Sequence, residues 1–125
     1  MAAELGEVGA AAERVRDLSI GEIGVEGGEA LELAFVEAAN NVIQHGGITA
    51  GEWLDIALRS DGAGVTLELQ DQGHPIPAHV LDEASEPGDA FAESSRGLWL
   101  IQTLMDKVTY TSTSGINKLV LFRRR

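Results

Sequence analysis

The 125-residue sequence contains no cysteine, which excludes disulfides, thiol catalysis and zinc–thiolate sites. Basic residues are scarce. Nine Lys and Arg stand against twenty Asp and Glu, a formal net charge of −11 at pH 7. Sequence-independent nucleic-acid binding needs a cationic surface that displaces counterions, and an anionic membrane surface attracts the same sign. The closing run Arg123, Arg124, Arg125 is too short to reverse that balance, so direct nucleic-acid and membrane partners are not expected. No apolar run approaches the roughly 20 residues of a membrane-spanning helix. The start lacks the basic region and apolar core of a signal peptide, so the expected compartment is the cytoplasm. There is no internal repeat, no low-complexity linker, and neither G-x-x-x-x-G-K-[ST] nor G-x-G-x-x-G. Any nucleotide site is therefore of another kind.

What is present is the composition of a soluble globular protein, 44% hydrophobic and 23% charged, at a length that predicts one domain over residues 1–125. Leu5, Val8, Ala11 or Ala12, Val15 and Leu18 recur at helical spacing and predict a helix over 4–18. Gly21, Gly24, Gly27 and Gly28 then break it. A longer helix is expected over 29–45, with Gly46-Gly47 as its cap. Strand-type residues in 52–60 and alternation in 65–69, around Asp61-Gly62-Ala63-Gly64, predict an antiparallel hairpin. Asp71 to Pro77 reads as a loop, 78–84 as a short helix and 85–95 as a mobile polar segment. A helix is expected over 97–106, then strands 108–112 and 118–122 joined near Gly115. This order predicts an α+β two-layer sandwich, with helices on one face of a mostly antiparallel mixed sheet.

The long helix carries two stripes. At about 100° per residue, Leu31, Phe35, Ala38 and Val42 form a core face. Glu37, Asn41, Gln44 and His45 form a polar one, with Asn40 beside it. Solvated faces usually carry Lys and Glu in i,i+4 pairs, but this helix has no basic residue and its polar arc is rich in amides. A carboxylate and an amide four residues apart meet on one face. They suit a hard cation such as magnesium and a hydroxyl that needs a base. His45 equally complements a helix C-terminus, and His74 and His79, in a Pro-broken loop, make a poor metal site.

Two glycine-containing loops follow. In Asp71-Gln72-Gly73-His74-Pro75, an Asp at a strand end can receive an amine, because an ionised carboxylate only accepts hydrogen bonds. Gly73 lets backbone approach a flat ring. In Ser94-Ser95-Arg96-Gly97-Leu98, Ser95 reads as an N-cap, and free helix-start amides with Arg96 attract phosphate. Taken singly, the first is a common turn and the second a plain cap. Their order after the acid/amide helix is more restrictive.

With these boxes in that order, residues 29–123 resemble the GHKL ATPase superfamily, which includes gyrase, Hsp90 and histidine kinases. Within it they look most like the bacterial anti-sigma-factor serine-protein kinases of partner-switching systems. Glu37 to Gly46 is similar to the family's N box, Asp71 to Pro75 to its first glycine box, and Ser95 to Ile101 to its second. The resemblance implies ATP and magnesium as cofactors. Glu37 would be the general base for an acceptor serine, Asn41 the magnesium ligand and Asp71 the reader of the adenine amine. Gly73 and Gly97 would shape the pocket, with Ser95, Arg96 and Leu98 in the stretch over the phosphates. The implied partners are an anti-sigma-factor antagonist, a sigma factor and a second copy in a homodimer. Pro75 and Ser95 replace glycines of the family pattern. The family also opens with a strand, which in this chain, starting almost in the helix, is expected to be absent or trimmed. The contrasting expectation is a non-catalytic, nucleotide-dependent module that only holds a partner.

Overall fold

The computed structural model describes residues 1–2, 4–45, 53–76 and 93–125. The expected Gly46-Gly47 cap, the helix at 78–84, His79 and most of the 85–95 segment lie outside them.

Helix α1, Leu5–His45, is two arms joined at Gly24, whose φ of 79° and ψ of 174° belong to a region open almost only to glycine. Sixteen residues of straight helix span about 24 Å, yet Arg16 Nη1 lies 3.3 Å from Glu32 Oε2. A Cβ at Gly28 would stand 2.8 Å from Ile20 Cγ1. Both pairs are symmetric about Gly24, so the arms fold back on each other. Of the four expected breakers only Gly24 turns the chain. Gly27 and Gly28 are buried inside the second arm, where they let the arms meet closely.

The buried row of the first arm is Val8, Ala12, Val15 and Ser19, the last with its hydroxyl donated to the Val15 carbonyl at 2.6 Å. Leu18, expected inside, is 63% exposed, because the row advances by four residues at that turn and lands on Ser19. The second arm buries Leu31, Ala34, Phe35 and Ala38 as its core face predicts.

Strands β1 (Asp55–Asp61), β2 (Gly64–Asp71), β3 (Lys107–Thr113) and β4 (Ile116–Arg124) form one sheet in the order β1-β2-β4-β3. Every pairing among the described strands is antiparallel. Alternation sends Val65, Leu67, Leu69, Leu119 and Leu121 into the core beneath the helices. The α+β sandwich is thus as expected. At the chain's start, Ala2 bridges Trp53, and the Leu54 N–H donates to the Met1 carbonyl at 2.8 Å. A trace of edge pairing therefore precedes α1.

Helix α2, Glu93–Leu104, packs on α1 through Leu98 and Ile101. Its far end is tied to β4. The Arg123 guanidinium donates to the Leu104 carbonyl at 2.6 Å, and Asp106 exchanges backbone and side-chain bonds with Phe122 and Arg124. A helix-end carbonyl needs such a partner, and this one fixes where the other end of α2 meets α1. No helix among the described residues is long and apolar enough to cross a membrane.

Candidate functional site

Two residues of the polar stripe, Glu37 and Asn41, face the start of α2. A Cβ placed on Gly97 would stand 3.0 Å from Glu37 Oε2 and 3.3 Å from Asn41 Nδ2. Three residues chosen from two separate motifs therefore meet at one point, and the meeting depends on glycine having no side chain. Glu37 and Asn41 are both half-buried and partly open to solvent.

Ser95 is not the N-cap the sequence suggests. The helix begins at Glu93, because Glu93-Ser94-Ser95-Arg96 is itself compatible with a first turn. Ser95 and Arg96 consequently lie among the four leading residues whose N–H groups have no partner within the helix. Leu98 turns its side chain into the core at 2% exposure and seats the helix that carries Gly97.

Asp71 ends β2 on its inner face and is buried. Its Oδ1 accepts the Gly73 N–H at 2.8 Å and an Asn117 amide hydrogen at 2.9 Å. The same Asn117 nitrogen donates to the Gly73 carbonyl at 2.8 Å. Asp71 and Gly73 therefore form one bonded unit. The following loop is held by Tyr110, whose hydroxyl accepts the Ile76 N–H at 2.9 Å. Burial pushes the Tyr110 phenol above its ordinary range. The Ile76 N–H opposes this, and the Asp71 carboxylate nearby adds to it.

Asn117, Ser112 and Tyr110 escape the sequence reading. The signal for Asn117 was available. In Asn117-Lys118-Leu119-Val120-Leu121 the Asn shares the period-2 face of two leucines, and a polar residue there asks for a buried partner. Beginning the strand at Lys118 hides that register.

The donor set fits a nucleotide with magnesium. Among the described residues both bonds to the Asp71 carboxylate fall on Oδ1, which leaves Oδ2 as an acceptor for a ligand amine. The oxygens of Glu37 and Asn41 suit a hard cation. No group of three His, Asp or Glu among the described residues could hold a metal by itself. Magnesium here would be completed by phosphate oxygens and water, its usual manner of binding.

Comparison with known proteins places the chain among relatives. The chain is 31% identical over 102 residues to the serine-protein kinase RsbW of Bacillus velezensis, covering 70% of this chain and 59% of that protein. RsbW of Bacillus subtilis gives the same identity and coverage. The chain thus spans about three-fifths of the length of these relatives. The family model described as "Histidine kinase-like ATPase domain" matches residues 1–123, a span that holds the helical hairpin, the sheet and both clusters, and on that match the chain belongs to the histidine kinase-like ATPase family.

Proposed function

We propose that the protein is an ATP- and magnesium-dependent serine-protein kinase of the cytoplasm that also acts as an anti-sigma factor. Its substrate would be a small anti-sigma-factor antagonist in a partner-switching pathway. The observation that carries this reading is Gly97 seated against Glu37 and Asn41. It sets a carboxylate and an amide beside the helix start on which phosphates would rest. A module that only binds has no need of a carboxylate there.

In this reading Asp71 Oδ2 accepts the adenine amine, while Gly73 brings the backbone close to the ring. The leading amides of α2, with Arg96, hold phosphate oxygens. Asn41, together with the nucleotide's phosphates, would hold magnesium, which would supply charge neutralisation at the triphosphate. Glu37 takes the proton of the acceptor serine as its oxygen bonds to the γ-phosphorus and the bond to the ADP oxygen breaks. Phosphoryl transfer needs mostly positioning and charge neutralisation, and the base adds the rest.

The test is transfer of labelled γ-phosphate to an antagonist by the parent and by Glu37→Gln. A positioned base contributes about 10²–10⁴-fold. Glu37→Gln should bind ATP like the parent and transfer at least about 10²-fold more slowly. Parental rates in the variant would remove Glu37 from the reaction. ATP binding without transfer by the parent to any partner would establish the non-catalytic module instead.

A further inference from the structure

Arg123 lies on the helix-facing side of β4, in the period-2 row of Asn117, Leu119 and Leu121, and pairs with the buried Val65. It is half-buried. A guanidinium on that side is costly unless its hydrogens are used. One is donated at 2.6 Å to the carbonyl of Leu104, the last residue of α2. The neighbouring bonds, from the Asp106 N–H to the Phe122 carbonyl and from the Arg124 N–H to the Asp106 carboxylate, fall beyond the helix. Among the described residues, no other hydrogen bond joins α2 itself to the sheet.

Leu98 and Ile101 bury α2 against the core, but apolar contact is non-directional. It opposes lifting of the helix more than sliding along its axis. The bond to Leu104 supplies the missing direction. Leu104 and Gly97 are about 10.5 Å apart along the helix, and a hydrogen-bonded helix moves as one piece. A shift at Leu104 therefore arrives at Gly97. The tolerance there is small, since a Cβ on Gly97 would already stand 3.0 Å from Glu37 Oε2. We propose that Arg123 is a positioning residue for phosphoryl transfer, which pins the far end of α2 and so holds the start of that helix in place against Glu37 and Asn41. It touches neither nucleotide nor acceptor. This rests on the reading of the α2 start as the phosphate holder and of Glu37 as the base.

The experiment uses the full chain and Arg123→Met, which keeps an apolar stem and removes the donors. Labelled γ-phosphate transfer to an antagonist gives kcat and KM, and calorimetry in magnesium gives the affinities for ATP and adenosine. A 1 Å displacement at a reacting group can cost about 10²-fold, so the smaller slip here should lower kcat about tenfold. ATP should bind more weakly while adenosine binds as in the parent, because adenosine needs only the Asp71 half of the site. Arg123→Lys, which can still donate to a carbonyl, should recover part of kcat. Arg124→Ala removes a neighbouring charge but keeps the backbone bond to Asp106, and should match the parent. A merely structural role would weaken ATP and adenosine together. That result, or parental kcat in a folded Arg123→Met, overturns the proposal while leaving the kinase reading intact. An equal fall in Arg124→Ala would assign the effect to charge and overturn it likewise. Should Arg123→Met fail to fold, Arg123→Gln, whose amide stops short of Leu104, decides on the same readouts. A parent that transfers no phosphate overturns the kinase reading itself, and this inference with it.

Discussion

Gly97→Ala separates stability from chemistry at this site. The added methyl would stand 3.0 Å from Glu37 Oε2 and 3.3 Å from Asn41 Nδ2, closer than ordinary contact by a few tenths of an ångström. Helix α2 itself gains from the change, since Ala is favoured over Gly in a helix interior by about 1 kcal/mol. Against this, the two half-buried side chains must shift. A side chain forced some 30° off its rotamer costs about 0.5–1.5 kcal/mol. The opposing terms are of one size, so the unfolding free energy should change by no more than about 1 kcal/mol in either direction. Chemistry has no such compensation. A displacement of 1 Å in a reacting group can cost about 10²-fold, and the smaller shift here should cost about tenfold in transfer rate. Urea unfolding and labelled-phosphate transfer on the same preparation make the comparison. Parental transfer by Gly97→Ala would mean that the contact with Glu37 lies outside the reacting geometry. A loss of stability above about 3 kcal/mol, the scale of a core lesion, would make Gly97 a packing residue and refute the compensation argument.

Asp71→Asn should cost at least about 2 kcal/mol of ADP affinity. The Gly73 and Asn117 donors will claim the amide oxygen, leaving the new NH₂ group facing the adenine amine. An unchanged Kd in a folded variant removes Asp71 from the site. Asn41→Ala should weaken ATP binding in magnesium while leaving metal-free ADP binding nearly unchanged. Equal losses with and without the metal would make Asn41 a packing residue. On the sheet's outer face, the Lys118 ammonium foremost, with Gln70 and Arg59, holds the Glu68 carboxyl below its ordinary range despite burial. A depressed carboxyl stabilises the fold above its unfolded value, near 4.5, and loses that contribution as pH falls through the folded value. Glu68→Gln should therefore be less stable than the parent at pH 7, with the gap closing below about pH 4.5. A gap in urea midpoint as wide at pH 3.5 as at pH 7 would contradict the assignment.

Residues that act through periodicity are legible in the sequence. Leu31, Phe35 and Ala38 fall on the core face that their spacing implies. Glu37 and Asn41 share a face because any i,i+4 pair does. Both hairpins are visible in their turn glycines. What resists reading is any feature whose cause lies in another element. Gly21, Gly24, Gly27 and Gly28 look alike as breakers, and only the packing of the two arms shows that Gly24 reverses the chain while Gly28 makes room for Ile20. Leu18 and Ser19 compete for one inward position, and the tertiary row, not hydrophobicity, chooses Ser19. Gly97 reads as a helix start, although it lies inside the helix and serves a neighbour. Asn117 is the sharpest case, since its partners Asp71 and Ser112 stand on two other strands.

These long-range dependencies converge on β4. Near its start, Asn117 clamps the Asp71–Gly73 turn, which the proposed function assigns to the purine. Toward its end, Arg123 and Arg124 hold the last carbonyl of α2 and the Asp106 corner that follows it. Gly97 rides on that same helix, two turns from the anchored end, against Glu37 and Asn41. One strand thus sets both the proposed purine receptor and the element proposed to hold the phosphates. Strand β4 pairs on both sides, with β2 and β3, so neither end can slide without breaking a ladder. A register shift of one residue would turn Asn117 outward and bring a lysine inside. The fold therefore guards the separation between the two halves of the proposed site with a strand paired along both edges. Tolerance to change should lie instead in the elements that strand does not bind.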